Sequence, residues 1–194
     1  MHTMENQPAR FSKPNLAALI GLAAVCVLAL QARAAEQPKP GPEHQKLEVA
    51  VGRWKYEGSA QTSPFAEGGK FKGKSNGRMV LGGFFLEMRE EDKSEDGYVY
   101  QGIILRGYDG VAKTYTDHAF ENDGSVTPRV ITVSGNTWIA VGARTDSKGQ
   151  AYKTRSTETY AADGRSFTFS AEYSADNGNT WLPMWKGTMK RVGK

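Results

Sequence analysis

Cysteine is almost absent from this sequence of 194 residues, which contains one, Cys26. It lies within the uncharged segment of residues 16–30. If that segment is removed during maturation, the remaining chain has no disulfide, no thiolate nucleophile and no sulfur ligand for a metal.

The same segment has the features of a secretory signal peptide. Arg10 and Lys13 precede an apolar run that is short for a bilayer span, and small residues flank Arg33. We therefore expect residues 1–34 to be a signal peptide and the mature protein to be secreted, into the periplasm, without a stable membrane span. An uncleaved anchor is the alternative, which the small-residue site disfavours. A lipoprotein would need a small residue before Cys26, where Val25 stands.

A strong excess of one charge is also lacking. Three basic residues and one acidic residue leave with the signal peptide, so the formal net charge falls from +4 to +2. Lysine and arginine alternate with aspartate and glutamate along the chain, without the basic stripe that follows a phosphate backbone. We expect no nucleic-acid partner.

Histidine is scarce, and the predicted mature chain keeps only His44 and His118. With no cysteine and no third histidine, a metal site is not expected. Haem-binding calycin barrels supply a histidine from a late strand, and none follows His118, so no cofactor is expected. Asp117 precedes His118, but adjacent residues of a strand face opposite sides and cannot pair directly.

The remaining sequence has the pattern of an antiparallel meander. Residues 35–43 are rich in proline and read as an extended leader, and residues 42–51 favour one short helix. Residues 44–194 are then expected to form a single domain. Period-two alternation, interrupted by Asn-Gly and Asp-Gly turns, predicts about ten strands. These are residues 53–62, 70–80, 83–92, 98–108, 112–121, 126–134, 137–144, 151–160, 166–174 and 183–192.

A meander of this length removes its two exposed edges most easily by closing on itself. The fold class predicted from the sequence is therefore all-β, an antiparallel up-and-down β-barrel with one short N-terminal helix.

The start of the first predicted strand carries a Gly-x-Trp motif, Gly52 and Trp54. It resembles the signature of lipocalins and the wider calycin barrels. The resemblance implies that Trp54 plugs the closed end of the barrel and that a basic residue of the last strand packs across its ring. Arg191 has the required strand and phase, and an arginine over an indole gains a cation–π contact. The alternative is that Trp54 is an ordinary core aromatic after a glycine turn.

A longer string of motifs is similar to the secreted bacterial domain-of-unknown-function 1579 family. The motifs are a Gly-Pro-x-His helix, a Leu-Gly-Gly-x-Phe-Leu turn and a Gly-Tyr-Asp hairpin, within residues 41–145. Residues 118–120 read His-Ala-Phe where the family usually has a tryptophan. The resemblance implies the calycin-like fold and supplies no activity.

Residues 174–181 fit the Asp-box of sialidase propellers. In that hairpin Asp176 accepts backbone N–H groups, Gly178 takes a positive φ and Trp181 packs beneath the turn. A propeller repeats the motif in every blade, whereas this chain has it once. We therefore expect a structural role and no sialidase activity.

Strand phase also selects candidates for a ligand site. The inward set has apolar wall residues and one polar pair, in which Arg106 faces Glu158, because a buried carboxylate needs a partner. Glu158 at a hydrated rim is the alternative. The candidate ligand-binding residues are Met88, Tyr100, Arg106, Glu158, Phe169, Tyr173 and Trp185.

Three functions stay open at this point. The first is a barrel that binds a small apolar or amphipathic molecule. The second is an enzyme that uses Glu158, with His118, for acid/base chemistry, although the chain has no Gly-x-Ser-x-Gly elbow and no phosphate-binding loop. The third is a filled barrel that serves as an envelope interaction module.

Overall fold

A computed structural model describes residues 37–193. The predicted signal peptide lies outside these residues. The described chain begins with helix α1 (Pro42–Gln45), a 3-10 helix (Lys46–Ala50) and β1 (Gly52–Ala60). The strands that follow are β2 (Gly69–Val80), β3 (Phe85–Ser94), β4 (Val99–Asp109), β5 (Thr114–Glu121), β6 (Val126–Ser134), β7 (Thr137–Thr145), β8 (Ala151–Tyr160), β9 (Ser166–Ser174) and β10 (Leu182–Arg191), with a 3-10 turn (Leu81–Gly83) before β3.

The strands form a closed barrel. Each pairs with its neighbours in the chain, and β1 pairs antiparallel with β10. This confirms the predicted up-and-down architecture, and no predicted strand boundary differs from the structure by more than two residues. Among the described residues, no helix is both long and apolar enough to cross a bilayer.

Alternation along each strand separates the core from the surface. Leu86 and Met88 of β3 are buried, and so are Phe167 and Ala171 of β9. A shift of one residue in the register of a strand would turn the apolar side chains of that strand outward, so this alternation fixes the strand pairing.

The register also gathers lysines on the outside of the barrel. Lys55 of β1 lies opposite Lys74 of β2 and Lys190 of β10, and all three side chains are exposed. Like charges directly across a sheet are unfavourable. Burial of the apolar inner face therefore fixes this register and outweighs the small electrostatic cost of the facing lysines.

The N-terminal segment closes one end of the barrel. Leu47 and Ala50 of the 3-10 helix are buried in the same core as Trp54 and Leu86. Tyr115 of β5 donates a hydrogen bond of 2.9 Å to the backbone oxygen of Glu43, which ties α1 to the barrel wall.

Gly77 of β2 is where this segment passes closest to the sheet, because a methyl group there would overlap the backbone oxygen of Ala50. We expect Gly77→Ala to lower the free energy of unfolding by about 1–3 kcal/mol, since backbone cannot move aside as a side chain can. Chemical denaturation measures the change. Gly110→Ala is the matched control, because a methyl group at Gly110 has no atom within 4 Å. Equal effects of the two substitutions would contradict this account.

Candidate ligand-binding site

Trp54 and Arg191 seal the closed end of the barrel. Trp54 is 2% exposed and its indole N–H donates a 3.0 Å hydrogen bond to the backbone oxygen of Ala50. The guanidinium carbon of Arg191 lies 4.2 Å from the centre of the indole ring. Its Nε donates to the backbone oxygen of Gly164 at 3.0 Å, so this side chain also links the last strand to the turn between β8 and β9.

Gly52 makes this arrangement possible. Its φ is +121°, and a methyl group there would meet Nη1 of Arg191, which donates to the backbone oxygen of Val51. A side chain at this position would be strained and would displace the guanidinium. Gly52, Trp54 and Arg191 thus have the geometry that the calycin resemblance implied.

Beyond this plug the barrel encloses a cavity of about 520 Å³. The volume is within the range of small-molecule sites. Five of the seven candidate ligand-binding residues line it, namely Met88, Tyr100, Glu158, Phe169 and Trp185. Further aromatic side chains on the wall are Trp54, Tyr56, Phe65, Phe71, Tyr98 and Phe167.

Arg106 lies beside the cavity, buried within an ion-pair network. It is 2% exposed, and its Nη1 and Nη2 donate to the two carboxylate oxygens of Glu158 at 2.9 and 2.8 Å. Its Nε and Nη2 also donate to Oδ2 of Asp117, both at 3.2 Å. Arg129 completes the network with a 2.6 Å bond from Nε to Oδ1 of Asp117. The Arg106–Glu158 pairing that strand phase predicted is present.

The network holds Glu158 in its charged form. Burial raises the pKa of this carboxyl, but the charge and hydrogen bonds of Arg106 and the hydroxyl of Tyr160 outweigh burial, so the pKa lies below its ordinary value. A paired and ionised Glu158 holds no proton to donate near neutral pH.

Glu90 and Asp92 form a second acidic group that the sequence analysis missed. They continue the inward phase of Leu86 and Met88 along β3 and line the cavity. Burial, followed by the nearby charge of Glu158, raises the pKa of Glu90 to about 7. Burial also raises the pKa of Asp92, whose Oδ2 accepts a 3.0 Å hydrogen bond from the Tyr56 hydroxyl. The period-two pattern could have identified both residues.

The loop between β1 and β2, residues 61–68, covers the opposite end of the barrel. Phe65 at its tip packs edge-on against Tyr152 at 5.4 Å and against Tyr173 at 6.3 Å. The guanidinium of Arg144 lies 4.9 Å from the Phe65 ring. Tyr173, a predicted wall residue, lies outside the cavity lining and supports this loop instead. The loop's role depends on tertiary contacts and had no signal in the strand pattern.

His118 and Asp117 face opposite sides of β5, as alternation requires. Asp117 is fully buried, whereas His118 is exposed on the outer wall and stacks on Phe120 at 6.4 Å. The enzyme hypothesis placed His118 with Glu158 in one site, and the structure contradicts that placement. No cluster of three potential metal ligands is found among residues 37–193.

The Asp-box residues form a hairpin at the covered end. Asp176 accepts hydrogen bonds from the Ser174 hydroxyl at 2.7 Å and the Thr180 N–H at 2.8 Å, which lower its pKa to about 2. Gly178 has a φ of +97°. Trp181 lies beneath it, with the guanidinium of Arg155 4.4 Å from its ring.

A model of one protein family matches residues 39–191 of this chain, which is the whole barrel with its N-terminal helix. The family is described as a protein of unknown function, DUF1579. The chain belongs to the DUF1579 family. A comparison with curated proteins gives no match.

Two solved structures show how the DUF1579 fold relates to known barrels. Rv2717c from M. tuberculosis is 14% identical, with a TM-score of 0.55 over 79% of this chain and 99% of its own. The S-type phycobiliprotein lyase CPES from Guillardia theta is 11% identical, with a TM-score of 0.54 over 78% of this chain and 93% of its own. At these identities the likeness to the DUF1579 protein is one of fold.

Proposed function

We propose that this DUF1579 protein is a secreted, periplasmic barrel that binds a small amphipathic molecule in its lumen. The observation that carries the proposal is the cavity of about 520 Å³, whose wall combines aromatic rings with a few fixed polar groups. Apolar lining supplies binding energy, and a small number of placed polar groups supplies orientation.

The cavity also bears on the other two hypotheses. A filled interaction module has no lumen, whereas this barrel encloses one. The acid/base hypothesis relied on Glu158 and His118, of which the first is held by Arg106 and the second lies on the outer wall. The pairing of Glu158 with His118 that the enzyme hypothesis required is therefore absent from the site.

Native mass spectrometry of the chain, expressed with its own leader and purified from the periplasmic fraction, tests the proposal. We expect a defined mass in addition to the protein and a mature N-terminus at residue 35. An apo mass alone would contradict the proposal if the neutral fluorescent probe N-phenyl-1-naphthylamine also failed to bind. Protein found only in the cytoplasm would contradict the localisation.

Filling the lumen should weaken binding. Ala119 of β5 is 4% exposed and lines the cavity, so we expect Ala119→Phe to weaken binding of the neutral probe at least about tenfold by occupying the ligand's volume. Fluorescence titration measures the affinity.

The adjacent outward residue provides the control, since His118→Phe adds a ring of the same size on the outer wall. If Ala119→Phe does not fold, Ser156→Leu makes a smaller change at another lining position. Full binding by a folded lumen variant would place the ligand elsewhere.

A further inference from the structure

Carboxylates outnumber guanidinium groups on the wall of the lumen. The acidic lining residues are Glu67, Glu90, Asp92, Asp96, Glu121, Asp123 and Glu158, whereas the basic lining residues are Arg129 and Arg144. The chain as a whole is basic, with a formal net charge of +4, and the lysines of residues 37–193 lie outside the barrel. The lumen therefore has the opposite charge to the chain that encloses it.

Ion pairs neutralise only part of this acidity. Arg144 pairs with Glu121 and Asp123 near the covered end. Deeper in the barrel, Arg106 and Arg129 are shared between Asp117 and Glu158. Both lining arginines are thus already satisfied by carboxylates.

Glu90 is left without a partner. No hydrogen bond or ion pair joins its carboxylate to any of residues 37–193, although it lines the cavity. Asp92, two residues along the same strand, is hydrogen-bonded among residues 37–193 only to the neutral hydroxyl of Tyr56. Glu90 is only partly exposed, and an unpaired carboxylate that has lost part of its hydration is costly, so a ligand that brings a positive charge offsets this cost.

Aromatic rings surround the same part of the lumen. Tyr56 stands edge-on to Phe169 at 6.0 Å and to Phe71 at 6.3 Å, and Tyr100 lines the wall beside them. Burial and then Glu90 raise the pKa values of both Tyr56 and Tyr100, so both hydroxyls remain neutral. Neutral aromatic faces attract an organic cation.

We propose that the molecule bound in the lumen carries a protonated amine on an aromatic or aliphatic body, and that Glu90 binds the ammonium group. The proposal rests on the proposed lumen function and names its ligand class. Asp92 and the rings of Tyr56 and Tyr100 complete the head-group site, while the apolar wall formed by Phe71, Phe169 and Trp185 contacts the body.

The protonation of Glu90 adds a test that is independent of the ligand's shape. Its pKa of about 7 reflects burial first and then the charge of Glu158; the other groups that act on it are Arg129, Asp92 and Arg106. A cation beside Glu90 favours the ionised carboxylate and lowers its pKa. Binding must therefore release protons near pH 7, and the affinity must rise as the pH rises through about 7.

Three naphthalenes of nearly equal size separate charge from shape. The probes are 1-naphthylmethylamine, 1-naphthalenemethanol and 1-naphthoic acid, titrated at fixed ionic strength at about pH 6 and about pH 8, where the amine stays protonated. For the wild-type protein at the higher pH we expect the amine to bind about tenfold or more tightly than the alcohol, and the acid most weakly. Calorimetry in two buffers of different ionisation enthalpy measures the released protons.

Glu90→Gln keeps the shape of the side chain and removes its charge. We expect this variant to bind the amine and the alcohol about equally, with no proton release and no pH dependence. Glu91→Gln is the matched control, because Glu91 is the next residue of β3 but faces outward, where it pairs with Lys74 at 3.1 Å. The control should retain the preference for the amine.

The possible outcomes distinguish a failure of the amine proposal from a failure of the proposed lumen function. Equal binding of all three probes by the wild-type protein would overturn the amine proposal and leave a lumen that binds small molecules. Tightest binding of the acid would also overturn it and assign the head-group site to Arg129 or Arg144. Binding of none of the three, together with no binding of the neutral probe, would contradict the lumen function itself. Should Glu90→Gln fail to fold, proton release by the wild-type protein decides the question.

Discussion

Trp54→Ala is expected to lower the free energy of unfolding by about 3–5 kcal/mol, the range for truncation of a large buried aromatic. The ring is 2% exposed, stands edge-on to Phe167 at 5.1 Å and lies under the guanidinium of Arg191. Removal of the ring leaves a cavity at the closed end and removes the cation–π contact of the Arg191 guanidinium. Urea denaturation followed by circular dichroism measures the loss.

Trp181→Ala provides the comparison for this substitution. Trp181 also stacks with an arginine, Arg155, but on the outside of the barrel and only half-buried. We expect it to lose much less stability than Trp54→Ala. A loss below about 1 kcal/mol for Trp54→Ala would remove the plug role that the Gly-x-Trp motif implies.

Arg106→Met is expected to destabilise the barrel by a similar amount, about 3–5 kcal/mol near neutral pH. The substitution retains much of the side chain's apolar volume but leaves Glu158 buried without its main partner and Asp117 with Arg129 alone. The loss comes from the unpaired charges more than from the removal of the attraction itself.

The pH dependence of this loss follows from Glu158. In the wild-type protein its pKa is below the ordinary value of 4.5, so its contribution to stability is present above that pH and declines as the pH falls through the folded-state pKa. Without Arg106 the dominant effect on Glu158 is burial, which raises its pKa, and protonation then relieves the buried charge. We expect the loss caused by Arg106→Met to shrink between about pH 7 and about pH 4.5.

Two further variants serve as a control and a rescue for the Arg106→Met prediction. Arg78→Met breaks the exposed ion pair of Arg78 with Glu87 and should cost no more than about 1 kcal/mol. Adding Glu158→Gln to Arg106→Met should recover part of the lost stability by removing the charge. If Arg106→Met lowered the free energy of unfolding by no more than Arg78→Met does, the buried network would not stabilise the barrel.

The alternation of side chains made the strand phases readable in advance. Tyr152, Thr154, Ser156, Glu158 and Tyr160 of β8 read as one inward face, and Arg106 shares its phase with Ile104 on β4. Because two inward faces of a small barrel converge, a buried arginine and a buried glutamate could be paired from sequence. Glu90 could have been found by the same reasoning, since it follows Met88 at the same period.

The surroundings of Tyr173 could not be predicted from strand phase. Tyr173 has the inward phase, but the loop that carries Phe65 folds over it, and loop paths depend on contacts between distant segments. His118 lies on the outer face of β5, so the hypothesis that it titrates together with Glu158 in one site is wrong.

The periodicity and the turns determined a closed antiparallel barrel, because steric limits on the backbone and the burial of alternate side chains act locally. The plug at Trp54 was implied by the resemblance of the Gly-x-Trp motif to calycin barrels. Strand phase marks Glu90, Asp92, Arg106 and Glu158 as inward, and tertiary structure decided which of these charges are paired. In the sequence the charged residues look evenly mixed, but closure of the barrel carries lysines to the outside and Glu90, Asp92 and the arginine network to the inside. Charges interact over a long range and their partners depend on which strands meet, so the excess of carboxylates over guanidinium groups around Glu90 follows only from the closed fold.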